Sequence, residues 1–459
     1  SVPTKSETAD ERYTTVMEND TRTLTDEQNK HLNDVEKFLI EMLQQLKPID
    51  EPAGTRGRPR ILPAMCLWAG LLVCVLRGMN SQLAVWRQLS SLSLWNYPRF
   101  GVSDQAVYKR LADGGTQGLE QLFVQISAVL RLRLAPYAQT RLAPFATAVV
   151  ALDTTMLDPV ARRLPSLRAV KDGDRQLLPG KLAGVFDVRY QQWLHIRHIP
   201  DPNENDRVSA RALLAEIPPG ALVLADLGYF GFKWFDDLTD GGYYWLSRLR
   251  QKTSYEVVHT FYQAGETFDG IVFLGAFRAD RAKNAVRLVT YRQGNTLHRY
   301  ITNVLQPDLF PLREIAMLYA RRWDFELAVK LLKRELNLHL LWSAKTEVIL
   351  QQVWAALIIA QVLHGLQLEI AGRAGVDPFD VSLPLMVEYL PRWSYTGQDI
   401  VAVFVEHGRQ VGFIRPSRRI RPVTPSLDPG ALDPLPPDTV LVRVPRYAER
   451  NCHRRGVVQ

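Results

Sequence analysis

The sequence predicts an α/β protein in which a core of buried strands is interrupted by an all-β stretch and flanked by helical regions. Three observations carry this prediction. Short, continuous, β-branched apolar runs, "ATAVVALDTTML" (Ala146–Leu157) and "ALVLADLGYF" (Ala221–Phe230), read as buried central strands. Between Gly241 and about Val304, runs from "YYWLSRLR" to "LHRYITNVL" are separated by turn residues such as Gly265, Gly270 and Gly294. On either side of these limits the apolar spacing is helical.

Composition narrows the class. A chain of 459 residues with 46% hydrophobic and 23% charged residues can bury a sizeable core in roughly two or three domains, and disorder is not its default state. Lys and Arg number 56 against 48 Asp and Glu, giving +8 and a pI near 9.3, which suits a polyanionic partner but is moderate for this length. The three cysteines, Cys66, Cys74 and Cys452, form no CxxC pair, so a reduced cytosolic compartment is expected and a zinc finger is not. The longest apolar run, Ile61–Leu76, contains Pro63 and falls short of the roughly 18 to 20 residues of a membrane span; it reads as a buried helix, and no membrane partner is expected. The opening "SVPTKSETADERYTTVMEND" has no basic n-region or apolar h-region, so no signal peptide is expected.

Taken in order, residues 1–50 form a helical appendage, with a helix from Thr25 to Leu46 on the pattern Leu32, Val35, Phe38, Leu39, Met42, Leu43 and Leu46. Residues 51–140 are expected to form a helical region, with DNA binding as its expected role, opened by the basic linker "GTRGRPR" (Gly54–Arg60). That stretch resembles a minor-groove hook in which Arg-Gly-Arg-Pro lays arginines into A·T-rich DNA; Arg56, Arg58 and Arg60 are candidate contacts, and a solvated linker is the equal alternative. Leu83–Gly115 reads as two helices around a turn. Ser103 caps the second, with Ala106, Val107 and Leu111 inward and Gln105, Tyr108, Lys109 and Arg110 on the polar side. The layout resembles a helix-turn-helix with Lys109 and Arg110 available to phosphates or base edges, and plain helical packing remains the alternative.

Residues 141–240 give a strand at Ala146–Leu157, a hairpin of "KLAGVFDVRY" and "QWLHIRHIP" around Tyr190–Gln192, a helix at Val208–Ile217 and the strand at Ala221–Phe230. The order β-β-β-α-β is that of an RNase H-like core. Residues 241–304 form the β insertion, and residues 305–375 return to helices, including Glu347–Gly372. Residues 376–459 end in a Pro- and Arg-rich stretch expected to be a flexible, partly extended tail.

The chemistry centres on "YARRWDFELAVKLLKREL" (Tyr319–Leu336). At about 100° per residue, Tyr319, Arg322, Glu326 and Lys333 fall within an arc of roughly 60°, beside a buried stripe of Leu318, Phe325, Val329, Leu332 and Leu336. Taken alone, the helix also allows a surface Arg322–Glu326 pair of small energetic value. Two further carboxylates alter the weighing. Asp153 follows "AVVAL" and Asp226 ends "ALVLA", each where a buried strand delivers a side chain to the sheet's edge. An isolated charge there is costly unless paired or metal-bound. Two acids from adjacent strands and one from a helix are the ligand set for a pair of Mg²⁺ ions roughly 3.5–4 Å apart that clamp a phosphodiester in in-line displacement.

With these residues in view, the sequence resembles the DDE transposases of bacterial insertion sequences, specifically the insertion sequence four family, whose signature of Tyr, two residues, Arg, three residues, Glu, six residues and Lys is matched without a gap by Tyr319, Arg322, Glu326 and Lys333. "LDTTML" around Asp153 and "ADLGYF" around Asp226 match the other two motifs, and the likeness spans roughly residues 55 to 370. The resemblance implies an RNase H-like catalytic core interrupted by an all-β insertion. It implies that Asp153, Asp226 and Glu326 are catalytic and hold two Mg²⁺ ions, with Mn²⁺ as a substitute. Tyr319, Arg322 and Lys333 would bind DNA phosphates. Family members place an insertion tryptophan against a flipped base; Trp245 is the nearest candidate, with a core position as the alternative, and Arg248 beside it is a further DNA candidate. Implied partners are double-stranded DNA, both terminal inverted repeats and target, and a second copy of the chain on DNA. The implied activity is cut-and-paste transposition through a hairpin on the transposon end, in the bacterial cytoplasm at the nucleoid.

No Ser/His/Asp or Cys/His arrangement is needed, because metal-activated water and then a 3′-OH serve as nucleophiles. His195 and His198, three apart in a strand, face opposite sides and are not read as a shared metal site; Cys452 and His453 lack partner ligands. Asp158, Asp187 and Asp236 lie near the site in sequence, and of these only Asp187 could approach the metals. Two other readings remain: a stand-alone metal-dependent nuclease, which cuts without joining, and a domesticated, non-catalytic DNA-binding protein, against which the presence of all three acids argues.

Overall fold

The computed structural model describes residues 32–46, 61–92, 94–95, 97–157, 180–202, 204, 206–276, 280–393, 399–419 and 421–447. The chain divides into two compact units. The first takes in the residues up to Tyr137 and Lys330–Ser417; the second takes in Ala138–Leu157, Gly180–Val329 and the chain from Arg418 on.

The first unit is helical. α1 (Asp34–Gln44) starts at Asn33, whose side chain accepts from Glu36 N at 2.9 Å, and buries Val35, Leu39, Met42 and Leu43. The part of the expected helix before Leu32 lies outside the described residues. α2 (Ala64–Leu76) is the apolar run, buried from Cys66 to Leu76 as expected. α3 (Gln82–Arg87) runs into a π-helical turn, Gln88–Leu92, and α4 (Asp104–Asp113) follows; α4 is capped by Ser103, whose hydroxyl accepts from Ala106 N, and buries Val107 and Leu111. α5 (Gln117–Leu134) completes the N-terminal part.

The second unit is built on one nine-stranded sheet. β1 (Val149–Met156), β2 (Lys181–Asp187) and β3 (Gln192–Ile199) form an antiparallel meander, α6 (Asp206–Leu214) crosses, and β4 (Leu222–Ala225) returns parallel to β1. α7 (Phe232–Asp240) then leads to β5 (Tyr244–Arg248), parallel to β4. Parallel pairing of consecutive strands needs such a crossover. β6 (Tyr255–Ala264), β7 (Thr267–Leu274), β8 (Val286–Gln293) and β9 (Thr296–Thr302) are antiparallel throughout, and the full order is β3-β2-β1-β4-β5-β9-β8-β7-β6. The β-β-β-α-β order read from the sequence is therefore present. β5, expected within the β stretch of residues 241–304, pairs parallel with β4, and β9, β8, β7 and β6 continue the same sheet beyond it. Val150, Leu152, Ala183, Val223, Ala225, Phe235 and Trp245 belong to one apolar cluster, each large side chain contributing roughly 1.5–3 kcal/mol by burial.

α8 (Leu312–Ala320) and α9 (Trp323–Lys330) follow, and a π-helical turn, Leu331–Glu335, carries the chain back into the first unit. There α10 (Thr346–Ala374), α11 (Leu383–Trp393) and α12 (Ile400–His407) complete the helical set. α10 is long and apolar enough to cross a membrane by length and composition, yet 89% of its apolar window is buried. It ends at Gly375, whose φ of +64° is the left-handed cap that glycine adopts without a Cβ penalty.

The Pro- and Arg-rich end departs from the expected loose tail. Leu432, Leu435 and Leu441 pack against Phe261, Ile271, Phe273 and Ala285. Val442 bridges to Asn284 and Arg446 to Arg281, while the Arg443 guanidinium lies 4.5 Å over the Phe273 ring. Prolines prevent regular structure there, but leucines between them supply enough apolar surface to dock an extended chain. Residues 448–459, with Cys452 and His453, lie outside the described residues.

A candidate active site around Arg322

Three elements of the second unit deliver the carboxylates. β1 is buried from Val149 to Leu152, and Asp153 is where the strand begins to emerge. β4 ends at Ala225, and Asp226 opens the 3₁₀ turn Leu227–Tyr229. Leu152 and Ala225 are register partners in the parallel pair, so the next residue of each strand, Asp153 and Asp226, leaves the same end of the sheet side by side. Glu326 comes from the first turn of α9.

One guanidinium gathers them. Arg322 Nη1 lies 3.4 Å from Asp153 Oδ2 and 3.1 Å from Glu326 Oε1, and its Nε lies 3.6 Å from Asp226 Oδ1. The Asp226 and Glu326 side chains are 39% and 38% exposed, against 22% for Asp153 and 9% for Arg322, so the arginine forms the floor and two acids face solvent. Burial pushes the Asp153 carboxyl up to about 6; the Thr154 N–H, donating at 2.8 Å, and Arg322 pull it down, while Asp226 and Glu326 add to the rise. For Arg322, burial pulls the pKa down, but Asp226, Tyr319, Asp153 and Glu326 together hold it above its usual value.

Tyr319 lies on α8, its ring 5.0 Å from that of Tyr300, with the Arg248 guanidinium 5.6 Å over it. Burial pushes its phenol up to about 12. Tyr319 Oη and Arg322 Nε are both buried without a hydrogen-bond partner, which leaves two donors at the edge of the acid cluster unsatisfied. The expected single helical face is not how these residues meet. α8 stops at Ala320, and Arg322 N–H donates to Tyr319 O and Phe325 N–H to Arg322 O in tight turns before α9 is under way. The break turns Arg321 into a buried network and Arg322 toward the acids. Lys333 falls on the π-helical turn in the first unit, half-buried.

The donor set suits a hard divalent cation: three carboxylates supply oxygen ligands, and one guanidinium among them leaves the pocket anionic. The side chains converge on Arg322 rather than on one another, and among the described residues no three His, Cys, Asp or Glu side chains are grouped to hold a metal ion. Asp153, Asp226 and Glu326 are the residues that would hold such an ion.

The remaining sequence candidates separate. Trp245 is fully buried, stacked at 4.2 Å on Phe235 with its Nε1–H donating to Thr239 Oγ1, so the core position holds and its ring is closed to a base. Arg248, at the end of β5, is exposed and belongs to the site through Tyr319. Asp187 does not approach the acids: its register partners are Val150 and Gln192, and its Oδ1 accepts from Arg189 N and Tyr190 N, closing the β2–β3 turn. Asp236 is also structural, accepting from Lys283 N, Asn284 N, Asn284 Nδ2 and Tyr447 Oη. His195 and His198 lie on β3, an edge strand separated from β1 by β2, with His195 Nδ1 3.9 Å from Glu216. On α4 Lys109 is exposed, whereas Arg110 Nη2 donates to Leu62 O. Arg56, Arg58, Arg60 and Asp158 lie outside the described residues.

The sequence reading passed over Asp324. Its signal was present in the same eighteen letters: Arg321–Asp324 is an i,i+3 pair interleaved with the i,i+4 pair Arg322–Glu326.

Comparison with known proteins falls on this same stretch. Residues 150–363 match the family model described as "Transposase DDE domain". The match takes in Asp153, Asp226 and Glu326 and covers a little under half of the chain. The chain is 26% identical over 149 residues to the transposase for insertion sequence element IS231B of Bacillus thuringiensis subsp. berliner, covering 32% of this chain and 30% of that protein. It is 30% identical over 99 residues to the transposase for insertion sequence element IS231E of Bacillus thuringiensis subsp. finitimus, covering 22% of this chain and 20% of that protein. The chain thus spans under a third of the length of the curated relatives it matches. Among solved structures, a piggyBac transposase synaptic complex with hairpin DNA aligns over 89% of this chain and 86% of that one at 10% identity, with a TM-score of 0.40.

Proposed function

We propose that the chain is a cut-and-paste DNA transposase of the insertion sequence four type, acting on the terminal inverted repeats of its element as a dimer on DNA, in the bacterial cytoplasm. The observation that carries the reading is that one guanidinium reaches three carboxylates from β1, β4 and α9, inside a stretch that matches a transposase DDE domain. Asp153, Asp226 and Glu326 would hold two Mg²⁺ ions, or Mn²⁺ in their place, which would activate the attacking oxygen and neutralise the leaving one. Arg322 and Tyr319 present unsatisfied buried donors to phosphate oxygens, Arg248 adds positive charge beside them, and Lys333 is assigned to phosphate binding by the signature. A backbone held there would be attacked in line four times: by water to free a 3′-OH, by that hydroxyl on the opposite strand to give a hairpin and release the flanking DNA, by a second water that opens the hairpin and restores the 3′-OH, and by that 3′-OH on target DNA. Each exchange swaps one phosphodiester for another bond and needs no covalent enzyme intermediate.

The test is an assay with Mg²⁺ and a linear duplex carrying the element's own end, comparing the wild type with Glu326→Gln and resolving nicked, hairpin and joined products. Hairpin or joined products in the wild type and at least a roughly thousandfold loss in the variant are expected, since a metal ligand at the reacting phosphate is removed. Nicking that ignores the end sequence would indicate a nuclease instead, and equal activity in the variant would remove Glu326 from the mechanism.

A further inference from the structure

We propose that Asp324 and Arg419 form a positioning clamp that sets the roll of α9 and so aims Glu326 at the other two acids. This rests on the reading of Asp153, Asp226 and Glu326 as the reactive acids. Asp324 is a buried carboxylate with no exposed side-chain surface, two residues before Glu326. Its Oδ2 accepts from Arg321 Nε at 2.7 Å and from Gln191 Nε2 at 2.9 Å, and its Oδ1 accepts from Arg419 Nη2 at 2.9 Å. Each donor is itself tied down. Arg321 Nη1 donates to Gln139 Oε1 at 2.6 Å; Gln191 sits in the β2–β3 turn at φ +53° and also donates to Val188 O at 2.8 Å. Arg419 Nη2 also donates to Ala320 O at 3.1 Å, closing the end of α8.

Residues two apart on a helix point about 200° from each other. With Asp324 fixed inward, Glu326 must face out toward Arg322, Asp153 and Asp226. Between them Phe325 packs against Trp193 at 5.0 Å, so the helix is held on its apolar side as well. A buried aspartate needs one cation, and Arg321 supplies it from the same helix junction. Arg419 brings a second from the C-terminal segment, nearly a hundred positions away in sequence. A second guanidinium on one buried carboxylate is more than charge balance asks and is what a rigid mount asks, because three donors from three segments fix both carboxylate oxygens. Arg419 reaches Glu326 by way of Asp324, two residues before it on α9.

The experiment uses the full chain carrying Arg419→Gln, Arg419→Lys or Asp324→Asn, measuring end cleavage against Mg²⁺ concentration, affinity for the end duplex in Ca²⁺, and Tb³⁺ luminescence of the free protein. Arg419→Gln is expected to lower the cleavage rate by roughly tenfold to a hundredfold, as slight misplacement of a reacting group does. It should also raise half-saturating Mg²⁺ and the Tb³⁺ concentration for half-maximal signal severalfold, with duplex affinity unchanged. Arg419→Lys should restore most of the loss, and Asp324→Asn should share the metal phenotype. Thermal unfolding of each variant separates a misfolded protein from a misaimed one, and the 19% exposed Arg419 is a mild place to substitute. Weaker duplex binding with unchanged metal dependence would make Arg419 a DNA contact and overturn the clamp, as would wild-type behaviour of Arg419→Gln. If the wild type cuts no end at all, the transposase reading fails, and the Tb³⁺ titration still decides whether Arg419 governs metal binding.

Discussion

At the scale of single residues, Asp153 is the site's stored cost. The folded protein holds its proton up to about 6, whereas the free carboxyl titrates near 3.8. A group whose folded pKa is raised contributes stability that is fully present below the unfolded value and lost as pH rises through the folded one, so Asp153 costs stability progressively between pH 3.8 and about 6, reaching about 3 kcal/mol at most. Asp153→Asn is therefore expected to raise the melting temperature at pH 8 while abolishing cleavage, and that advantage should fall by about half at pH 5, where only the unfolded-state carboxyl is ionised, and vanish below pH 3.8, where the carboxyl is neutral in both states. Denaturation of both proteins at the two pH values checks this; an equal difference at each would mean that burial of Asp153 charge is not what the site costs. This residue was legible because an acid closing an apolar β-branched run has few structural uses. Asp324 was not, since its meaning depends on Gln191 and Arg419, which are remote in sequence and meet it only in the fold.

At the scale of elements, the sequence placed the strands but misjudged how the helix carrying Glu326 is assembled. Apolar runs identify β1 and β4 because central strands are buried on both faces, whereas a uniform 100° step cannot foresee that α8 breaks at Ala320 or that α9 passes into a π-helical turn. Likewise "YYWLSRLR" looks like any insertion strand, and only its parallel register with β4 assigns β5 to the core and seals Trp245 inside. What seats α9 on the sheet is a gap. Gly184 pairs with Asp153 across β1 and β2, and a Cβ there would come within 2.8 Å of the Trp193 ring and 3.2 Å of the Phe325 ring. Gly184→Val is expected to push Phe325 outward, destabilise the fold by about 1–3 kcal/mol and cut activity further than that loss explains. Chemical denaturation together with cleavage rates at a temperature where the variant is fully folded checks it, and full activity in the folded variant would show that α9 is not seated through this contact.

At the scale of the whole molecule, the chain interleaves two units. Residues 138–157, 180–329 and the described chain from Arg418 to Tyr447 belong to the unit with the sheet and its acids, while the helices before Tyr137 and after Lys330 build the other unit. A linear reading into successive domains misses this, because contiguity in sequence says nothing about which distant segment completes a core. The C-terminal segment shows why: its prolines and arginines suggest a loose tail, yet its leucines pack on the apolar cluster of β6 and β7 and its Tyr447 hydroxyl donates to buried Asp236. Asp153, Asp226 and Glu326 are proposed to share a divalent-metal site despite their separation in sequence. The most direct measurement is hydroxyl-radical mapping with Fe²⁺ as the Mg²⁺ surrogate, with ascorbate and peroxide added to the full chain and the fragments sized. Backbone scission clustered near residues 153, 226 and 326, suppressed by excess Mg²⁺ and absent in Glu326→Gln, is the predicted result. Scission elsewhere, or scission that Mg²⁺ does not suppress, would contradict it.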